Sequence, residues 1–244
     1  VFIWGFTAIL GALISLDALP LVWWRMSLAV VFILVYIYVK KIPLKIPKKV
    51  FFSFLFAGLV IALHWLTFFK AIKVSNVSVT LACLSTGAFF TSILEPLLFG
   101  KKVVWYEVLF GLLVIGGLYI IFNVEVDYVY GIILALTSAF LSALFTVINA
   151  KFTKEYLPSV ISFYELVGGV GFLSVYLLFT NGFNSNFFSL SMNDFGWLIL
   201  LSSICTAYAF IASVKVMKYL SPYTVMLTIN LEPIYGIILA VLIF

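Results

Sequence analysis

The chain has 244 residues, of which 65% are hydrophobic and only 9% are charged, with a formal net charge of +5. A soluble domain carries about 25% charged residues, so this composition excludes a water-soluble fold and indicates an integral membrane protein. Thirteen lysines and one arginine lie mostly between apolar runs, which fits cytoplasmic loops and argues against nucleic acid as a partner.

Apolar runs long enough to cross a membrane follow one another along the whole chain. A spanning helix needs about 20 mostly apolar residues to cross about 30 Å of hydrocarbon. Nine runs meet this requirement, at 1–16, 19–39, 50–72, 76–99, 103–122, 129–150, 158–179, 194–217 and 222–244. They are continuous and do not alternate with a period of two, so the prediction is an all-α bundle of nine visible transmembrane helices.

The charged residues fall in alternate connections and orient this bundle. Eleven of the fourteen basic residues lie on one side, at Lys40, Lys41, Lys45, Lys48, Lys49, Lys101, Lys102, Lys151, Lys154, Lys215 and Lys218. The other connections carry Asp17, Glu125, Asp127 and Asp194. The positive-inside rule assigns the lysine side, and with it the amino terminus, to the cytoplasm. Lys70 and Lys73 are the exceptions, near the outer end of the third helix.

Two stretches of the chain are similar to each other in order and register. "AIKVSNVSVTLACLSTGAFF" (71–90) aligns with "VMKYLSPYTVMLTINLEPIYG" (216–236), so that Lys73 answers to Lys218. In this register Thr86 and Gly87 correspond to Glu232 and Pro233.

The spacing of the repeat predicts its orientation. A unit that recurs every five helices contains an odd number of spans, so its second copy lies upside down in the membrane. The predicted units are 1–122 and 129–244, joined by an outer connection at 123–128. Two inverted repeats are the construction of secondary transporters, with the substrate site near the midplane.

Several motifs resemble one known family. "FIWGFTAILG", "WWR", "LHWLTFFKAIKVSNVSV", "LEPLLFGK" and "LSPYTVMLTINLEPIYGIILA" are similar to the EamA-like bacterial branch of the drug/metabolite transporter superfamily, and the similarity runs the whole length. The resemblance implies ten helices in two inverted halves, so a tenth helix is expected after Phe244. It also implies export of amino acids or related metabolites across the bacterial cytoplasmic membrane. One departure is Gly100-Lys101-Lys102, where family members commonly carry an acid after the glycine.

An acid and a proline interrupt the last apolar run near its middle. Glu232 lies ten residues into that run, about 15 Å deep, and Pro233 frees the carbonyl of residue 229. Asn230 adds a polar group, and Tyr235 shares the face of Glu232. We expect Glu232, Asn230, Tyr235 and the corresponding Thr86 to line a cavity, with Pro233 and Gly87 as kinks. The alternative is a structural kink with a protonated, buried glutamic acid.

Four residues of the first three helices are further cavity candidates. His64 is the single histidine, so a metal site is not predicted, and a core histidine bonded to a carbonyl is the alternative to a substrate donor. Trp65 follows His64, and Trp4 precedes Gly5 within its span. Arg25 either snorkels outward or lies at the outer mouth as an attractor of anions.

Two groups of residues have a simple structural interpretation. Glycines permit close helix packing in the seventh helix (Gly168, Gly169 and Gly171) and in the fifth (Gly111, Gly116 and Gly117), where a homodimer contact is the alternative to a monomer. Glu95-Pro96 lies near the cytoplasmic end of its helix, so an interfacial role is expected. Glu165 aligns with Arg25 near the opposite face, so no direct pair is predicted.

These observations favour a secondary active transporter that moves a small organic metabolite by alternating access. No GxxxxGK[ST] motif occurs, so ATP is not the direct energy source, and no cofactor is predicted. Protons become the coupling ion if Glu232 exchanges one. The alternatives are a flippase for lipid or lipid-linked sugar and an intramembrane lipid-modifying enzyme. One histidine and isolated acids argue against the enzyme.

Overall fold

The computed structural model of the chain describes residues 1–122 and 128–243. Most of the predicted outer connection, with Glu125 and Asp127, and the terminal Phe244 lie outside the described residues. The described part is helical, and the predicted all-α membrane bundle is confirmed. Its helices are α1 (Phe2–Leu13), α2 (Ala18–Val39), α3 (Lys48–Val74), α4 (Val77–Leu84), α5 (Gly87–Phe99), α6 (Trp105–Phe122), α7 (Val129–Phe152), α8 (Pro158–Phe179), α9 (Ser185–Phe188), α10 (Met192–Ser202), α11 (Ala209–Val216), α12 (Pro222–Ile229) and α13 (Glu232–Ile243).

These helices form nine apolar membrane segments in the described ranges. Seven are long and apolar enough to cross a bilayer, and α1 and the 105–117 part of α6 are shorter. Three of the spans are interrupted, two of them next to the predicted kink residues Gly87 and Pro233 and the third where the sequence predicted a continuous helix. α4 and α5 share one span, α12 and α13 share another, and a π-helical turn (Ser203–Tyr208) joins α10 to α11. The connection between the predicted spans 158–179 and 194–217 contains the short α9.

The first and last interruptions have local chemical causes. The Ser85 and Thr86 hydroxyls donate to the carbonyls of Ala82 and Cys83, which competes with regular helix hydrogen bonding at the end of α4. Pro233 has no N–H to donate, which favours the break between α12 and α13.

The two broken spans correspond in a register one residue away from the predicted one. α4 and α12 are each eight residues long, and the helices that follow them begin at Gly87 and Glu232. By these boundaries Gly87 takes the position of Glu232, one residue away from the predicted pairing of Thr86 with Glu232, which stays a prediction. Apolar residues dominate both stretches, so the sequence alone aligned them only to within one position.

α3 lies at the centre of the bundle and packs against α7 and α8. A Cβ atom added to Gly58 would lie 2.1 Å from the carbonyl oxygen of Glu165, and one added to Gly169 would lie 2.9 Å from the carbonyl oxygen of Gly58. Gly168 is equally close to Leu55, whereas Gly171 has open space beside it. Hence two of the three predicted glycines of α8, Gly168 and Gly169, allow close contact with α3.

The glycines of α6 also differ in whether they pack closely against another helix. Gly111 packs against Phe89 of α5, because a Cβ atom there would lie 2.6 Å from the Phe89 Cβ atom. Gly116 and Gly117 meet no atom of the described residues within 4 Å. The Gly111 position is therefore explained by packing within the chain.

Polar contacts fasten the two ends of the bundle differently. At one end, Glu95 of α5 forms an ion pair with Lys101 at 2.8 Å, and its other carboxylate oxygen accepts the Tyr223 N–H of α12 at 3.1 Å. At the other end, Asp194 of α10 accepts two hydrogen bonds from Ser15, at 2.7 and 2.6 Å. There Lys73 of α3 also donates to the carbonyl of Ile14.

Candidate functional site

A small polar cavity lies inside the bundle. Its volume is about 60 Å³, and since one water needs roughly 10–15 Å³ on this measure, it has room for about four waters or a small chemical group. Residues from most spans line it: Trp4, Thr7, Arg25, Ile61, His64, Trp65, Phe68, Leu84, Ser142, Phe145, Thr146, Phe210, Ser213, Met217, Ile229 and Glu232. Both halves of the chain contribute, and the lining is mostly apolar and aromatic.

Arg25 is held in this cavity by aromatic and polar contacts. Its side chain is 1% exposed, and its Nε donates to the Thr206 hydroxyl at 2.7 Å. The guanidinium carbon lies 4.0 Å from the centre of the Trp65 ring and 5.4 Å from that of Phe69. The predicted alternative in which Arg25 snorkels outward is therefore wrong, because α2 turns this residue toward α3 and the π-helical turn.

The π-helical turn positions two of the cavity's polar contacts. Thr206 donates to the carbonyl of Leu201, five residues earlier, and accepts from Arg25. The neighbouring carbonyl of Cys205 accepts the Trp4 indole N–H at 3.2 Å. Single π-helical turns inside α-helices are frequent at functional sites. Sequence reasoning missed this turn, although the polar residues of "SSICTAY" in mid-span were an available signal.

His64 is bonded to a backbone carbonyl, the first of the two alternatives that the sequence left open. Its Nδ1 lies 2.8 Å from the Ser138 carbonyl oxygen, and the Ser138 hydroxyl donates to the His64 carbonyl at 3.1 Å. Because a carbonyl oxygen only accepts, we assign the proton to Nδ1, which leaves Nε2 of the neutral ring as an acceptor. His64 is thus bonded to a carbonyl, between α3 and α7, and also lines the cavity.

Glu232 lies at the first position of α13 and contributes the acid of the cavity. Its side chain is 6% exposed. In the described part of the chain the ion pair found within 4.0 Å is Glu95–Lys101, so Glu232 forms none with Arg25. The cavity therefore holds one cationic and one acidic side chain that are not paired with each other.

Three predicted cavity residues lie outside this lining. The Thr86 hydroxyl donates to the Cys83 carbonyl at 2.7 Å, inside its own helix turn. Tyr235 packs edge-on against Phe2, with ring centres 5.4 Å apart. Asn230 lies at the break after α12, and its buried side-chain oxygen has no described partner. The break turns the residues after Glu232 away from the cavity and toward α1.

The two predicted kink residues lie where the broken helices meet. Gly87 faces Met226 of α12, since an added Cβ would be 2.3 Å from the Met226 Cε atom. Pro233 is buried at the second position of α13. In a reciprocal contact, Gly236 of α13 faces Leu81 of α4. Each broken span therefore packs against the other near its interruption.

Glu165 is a second fully buried acid, and it is not part of this cavity. Its Oε1 accepts the Asn149 amide at 2.9 Å, whereas its Oε2 has no described partner. The described residues contain no group of three or more His, Cys, Asp or Glu side chains that could hold a metal ion.

A larger cavity adjoins the polar one and shares Trp4, Ser213 and Ile229 with it. Its volume is about 320 Å³. It is lined by residues of α1, the π-helical turn, α11 and α12, and reaches Val1, Val216 and Leu220 at the end of the bundle where α1 begins. The larger cavity therefore extends from residues that also line the small cavity to this end of the bundle.

The fold, with a cavity lined by both halves of the chain, is that of a polytopic helical membrane protein. The chain belongs to the EamA-like transporter family, whose model matches residues 1–123 and again 129–244. This is a family of transporters and not of enzymes, and membership implies membrane transport of small molecules.

Comparison with solved structures supports the fold. Nine solved chains match. One of them, titled "Crystal structure of protein", superposes with a TM-score of 0.75 at 13% sequence identity, covering 98% of this chain and 84% of that chain. At this identity the likeness shows a shared fold. No curated protein sequence matches the chain.

Proposed function

We propose that the chain is a secondary active transporter that exports small organic metabolites, such as amino acids, across the bacterial cytoplasmic membrane by alternating access. The observation that carries this proposal is the enclosed cavity with Arg25, His64 and Glu232 on its wall. Polar and ionisable side chains are costly within a bilayer, and they mark substrate or ion pathways when they face a bundle interior.

The helix contacts support two inverted five-helix repeats, 1–122 and 129–244. α3 packs against α8. The counterparts of these two helices, which are the span of α10 with the π-helical turn and α2, also pack against each other. α5 packs against α7, and its counterpart α13 packs against α1, the counterpart of α7. Likewise α4 packs against α13, and α12, the counterpart of α4, packs against α5, the counterpart of α13. A twofold relation between the halves requires such exchanged pairs, and alternating access in transporters uses a rocking of such repeats.

The position of the larger cavity supports a state open to one side. The larger cavity reaches the end where α1 begins. Its lining residues Val216 and Leu220 at this end are close in sequence to Lys215 and Lys218. The positive-inside rule assigns that end to the cytoplasm. At the opposite end Ser15 donates to Asp194, and Lys73 donates to the carbonyl of Ile14. The arrangement fits a carrier that is loaded from the cytoplasm.

Counterflow in proteoliposomes tests the proposal. Vesicles loaded with unlabelled amino acids should accumulate the same labelled amino acid in a saturable way, and empty vesicles should not. Scrambling of labelled lipid without any solute exchange would instead assign the chain to lipid translocation, and would overturn the proposal.

Proton coupling is a second part of the proposal, and it rests on Glu232. Glu232→Gln removes the exchangeable proton while it keeps the side chain's size. We expect an imposed proton gradient to drive transport by the native protein and not by this variant. Glu155→Gln is the control, because Glu155 is an exposed acid outside the cavity. Unchanged gradient dependence in Glu232→Gln would remove Glu232 from the coupling.

A further inference from the structure

The Arg25 guanidinium is a buried cation without an anionic partner. Its Nε donates to Thr206, whereas its Nη1 is buried with no hydrogen-bond partner in the described part of the chain. A guanidinium has five N–H donors in a fixed fork, and burying donors without acceptors is costly. An unpaired charge held this deep requires compensation, and a bound anion supplies it.

The aromatic contacts leave the edge of the guanidinium as its remaining binding surface. The Trp65 ring lies 4.0 Å from the guanidinium carbon, at stacking distance. Stacking of this kind uses the face of the guanidinium, while its N–H groups project along the edge. The edge geometry matches the two oxygens of a carboxylate. Arg25 lines the cavity, so a solute that enters it meets this side chain.

The remaining wall restricts which anion fits. Glu232 lines the same cavity, and its negative form repels a second negative group on the solute. Apolar side chains such as Ile61, Phe145 and Phe210 make up most of the lining, so the rest of the solute must be largely uncharged. The volume of about 60 Å³ admits a carboxylate head group, and the adjoining cavity of about 320 Å³ has room for the body attached to it.

We propose that Arg25 binds the carboxylate of the transported solute, and that the solutes are monocarboxylates with an uncharged tail, zwitterionic amino acids with neutral side chains included. This inference rests on the proposed transport function, because it identifies the substrate class of that cavity.

Matched probes test the inference on the purified native protein. L-leucine and 4-methylpentanoate carry the carboxylate, and L-leucinamide and 4-methylpentanamide replace it with an amide. We expect the two acids to raise the melting temperature of the detergent-solubilised protein saturably, with apparent affinities at least about tenfold above those of the amides. Equal protection by acids and amides, or no protection by either acid, would overturn the inference.

Variants of Arg25 assign the effect to this side chain. Arg25→Gln should abolish the preference for acids over amides, and Arg25→Lys should retain a weaker one, because lysine keeps the charge without the two-pronged geometry. Lys151→Gln is the control, since it removes a positive charge at the exposed end of α7. Retention of the full acid preference in a folded Arg25→Gln protein would contradict the assignment. Should that variant not fold, the native-protein comparison and Arg25→Lys still decide.

Counterflow separates a failure of this inference from a failure of the transport function. Saturable exchange of neutral amides at the same rate as the acids would leave a transporter and remove the role of Arg25 in substrate choice. Acid-specific protection in detergent without exchange of any solute in vesicles would leave the binding site and remove the transport function.

Discussion

The guanidinium carbon of Arg25 lies 4.0 Å from the centre of the Trp65 ring, in the interior of a membrane protein. The contact joins α2 to α3 and holds the cavity's cation in place. A desolvated pair of this kind is worth about 2 kcal/mol or more. The ring of Trp65 also packs against Phe210, with ring centres 5.6 Å apart. Removing the ring therefore affects both stability and the position of Arg25.

We expect Trp65→Leu to lower the melting temperature and to weaken solute exchange, whereas Trp65→Phe keeps a ring and has a smaller effect. The measurements are thermal unfolding in detergent and initial counterflow rates. Trp105→Leu is the matched control, because Trp105 is 72% exposed. Equal effects of the leucine substitutions at Trp65 and Trp105 would show that the Arg25 contact carries no energy.

Gly58→Ala is expected to disrupt the contact between α3 and α8. The added Cβ would lie 2.1 Å from a backbone oxygen, which no side-chain rotation relieves. Overpacking of this kind costs about 1–3 kcal/mol and occasionally more. Gly171→Ala is the control on α8. Its added Cβ would meet open space, so this substitution should change little. The yield of folded protein and its melting temperature measure the difference, and a native-like Gly58→Ala protein would contradict the close packing.

The His64–Ser138 contact predicts a graded response. Ser138→Ala removes the hydroxyl bond to the His64 carbonyl, and a single bond of this kind contributes about 1 kcal/mol. The backbone carbonyl of Ser138 remains, so His64 keeps its Nδ1 partner. His64→Ala removes the Nδ1 bond to that carbonyl and adds a void, so its destabilisation should be clearly larger. Thermal unfolding of both variants tests the order, and a larger effect of Ser138→Ala would contradict it.

The two contacts of the Glu95 carboxylate, with the Tyr223 N–H and with Lys101, are expected to contribute differently to stability. Glu95→Ala leaves the Tyr223 N–H at the start of α12 without its acceptor, at a cost of about 1–3 kcal/mol. Glu95→Gln keeps an acceptor oxygen and should cost less. Lys101→Gln removes an ion pair whose lysine is 57% exposed, and exposed pairs contribute little. Melting temperatures should therefore fall most for Glu95→Ala, and a comparable fall for Lys101→Gln would assign the stability to the ion pair.

The sequence determined the class of protein and the positions of its spans. Long apolar runs leave a backbone no partner in the membrane except its own helix, so length and composition were sufficient for these predictions. The repeat and the mid-span acid also directed attention to Glu232, and the structure puts Glu232 on the wall of one cavity with Trp4, Arg25, His64 and Trp65.

Only the tertiary structure decided which polar groups meet. Arg25 reaches Thr206 across 181 positions of sequence, and His64 reaches Ser138 across 74. Neither pairing follows from local spacing, because helix rotation about its axis is set by packing against neighbours and not by the helix's own residues. For the same reason Tyr235 faces Phe2 instead of the cavity, although it lies three residues from Glu232. Composition determined that the chain lies in a membrane, and packing determined which neighbours each side chain contacts.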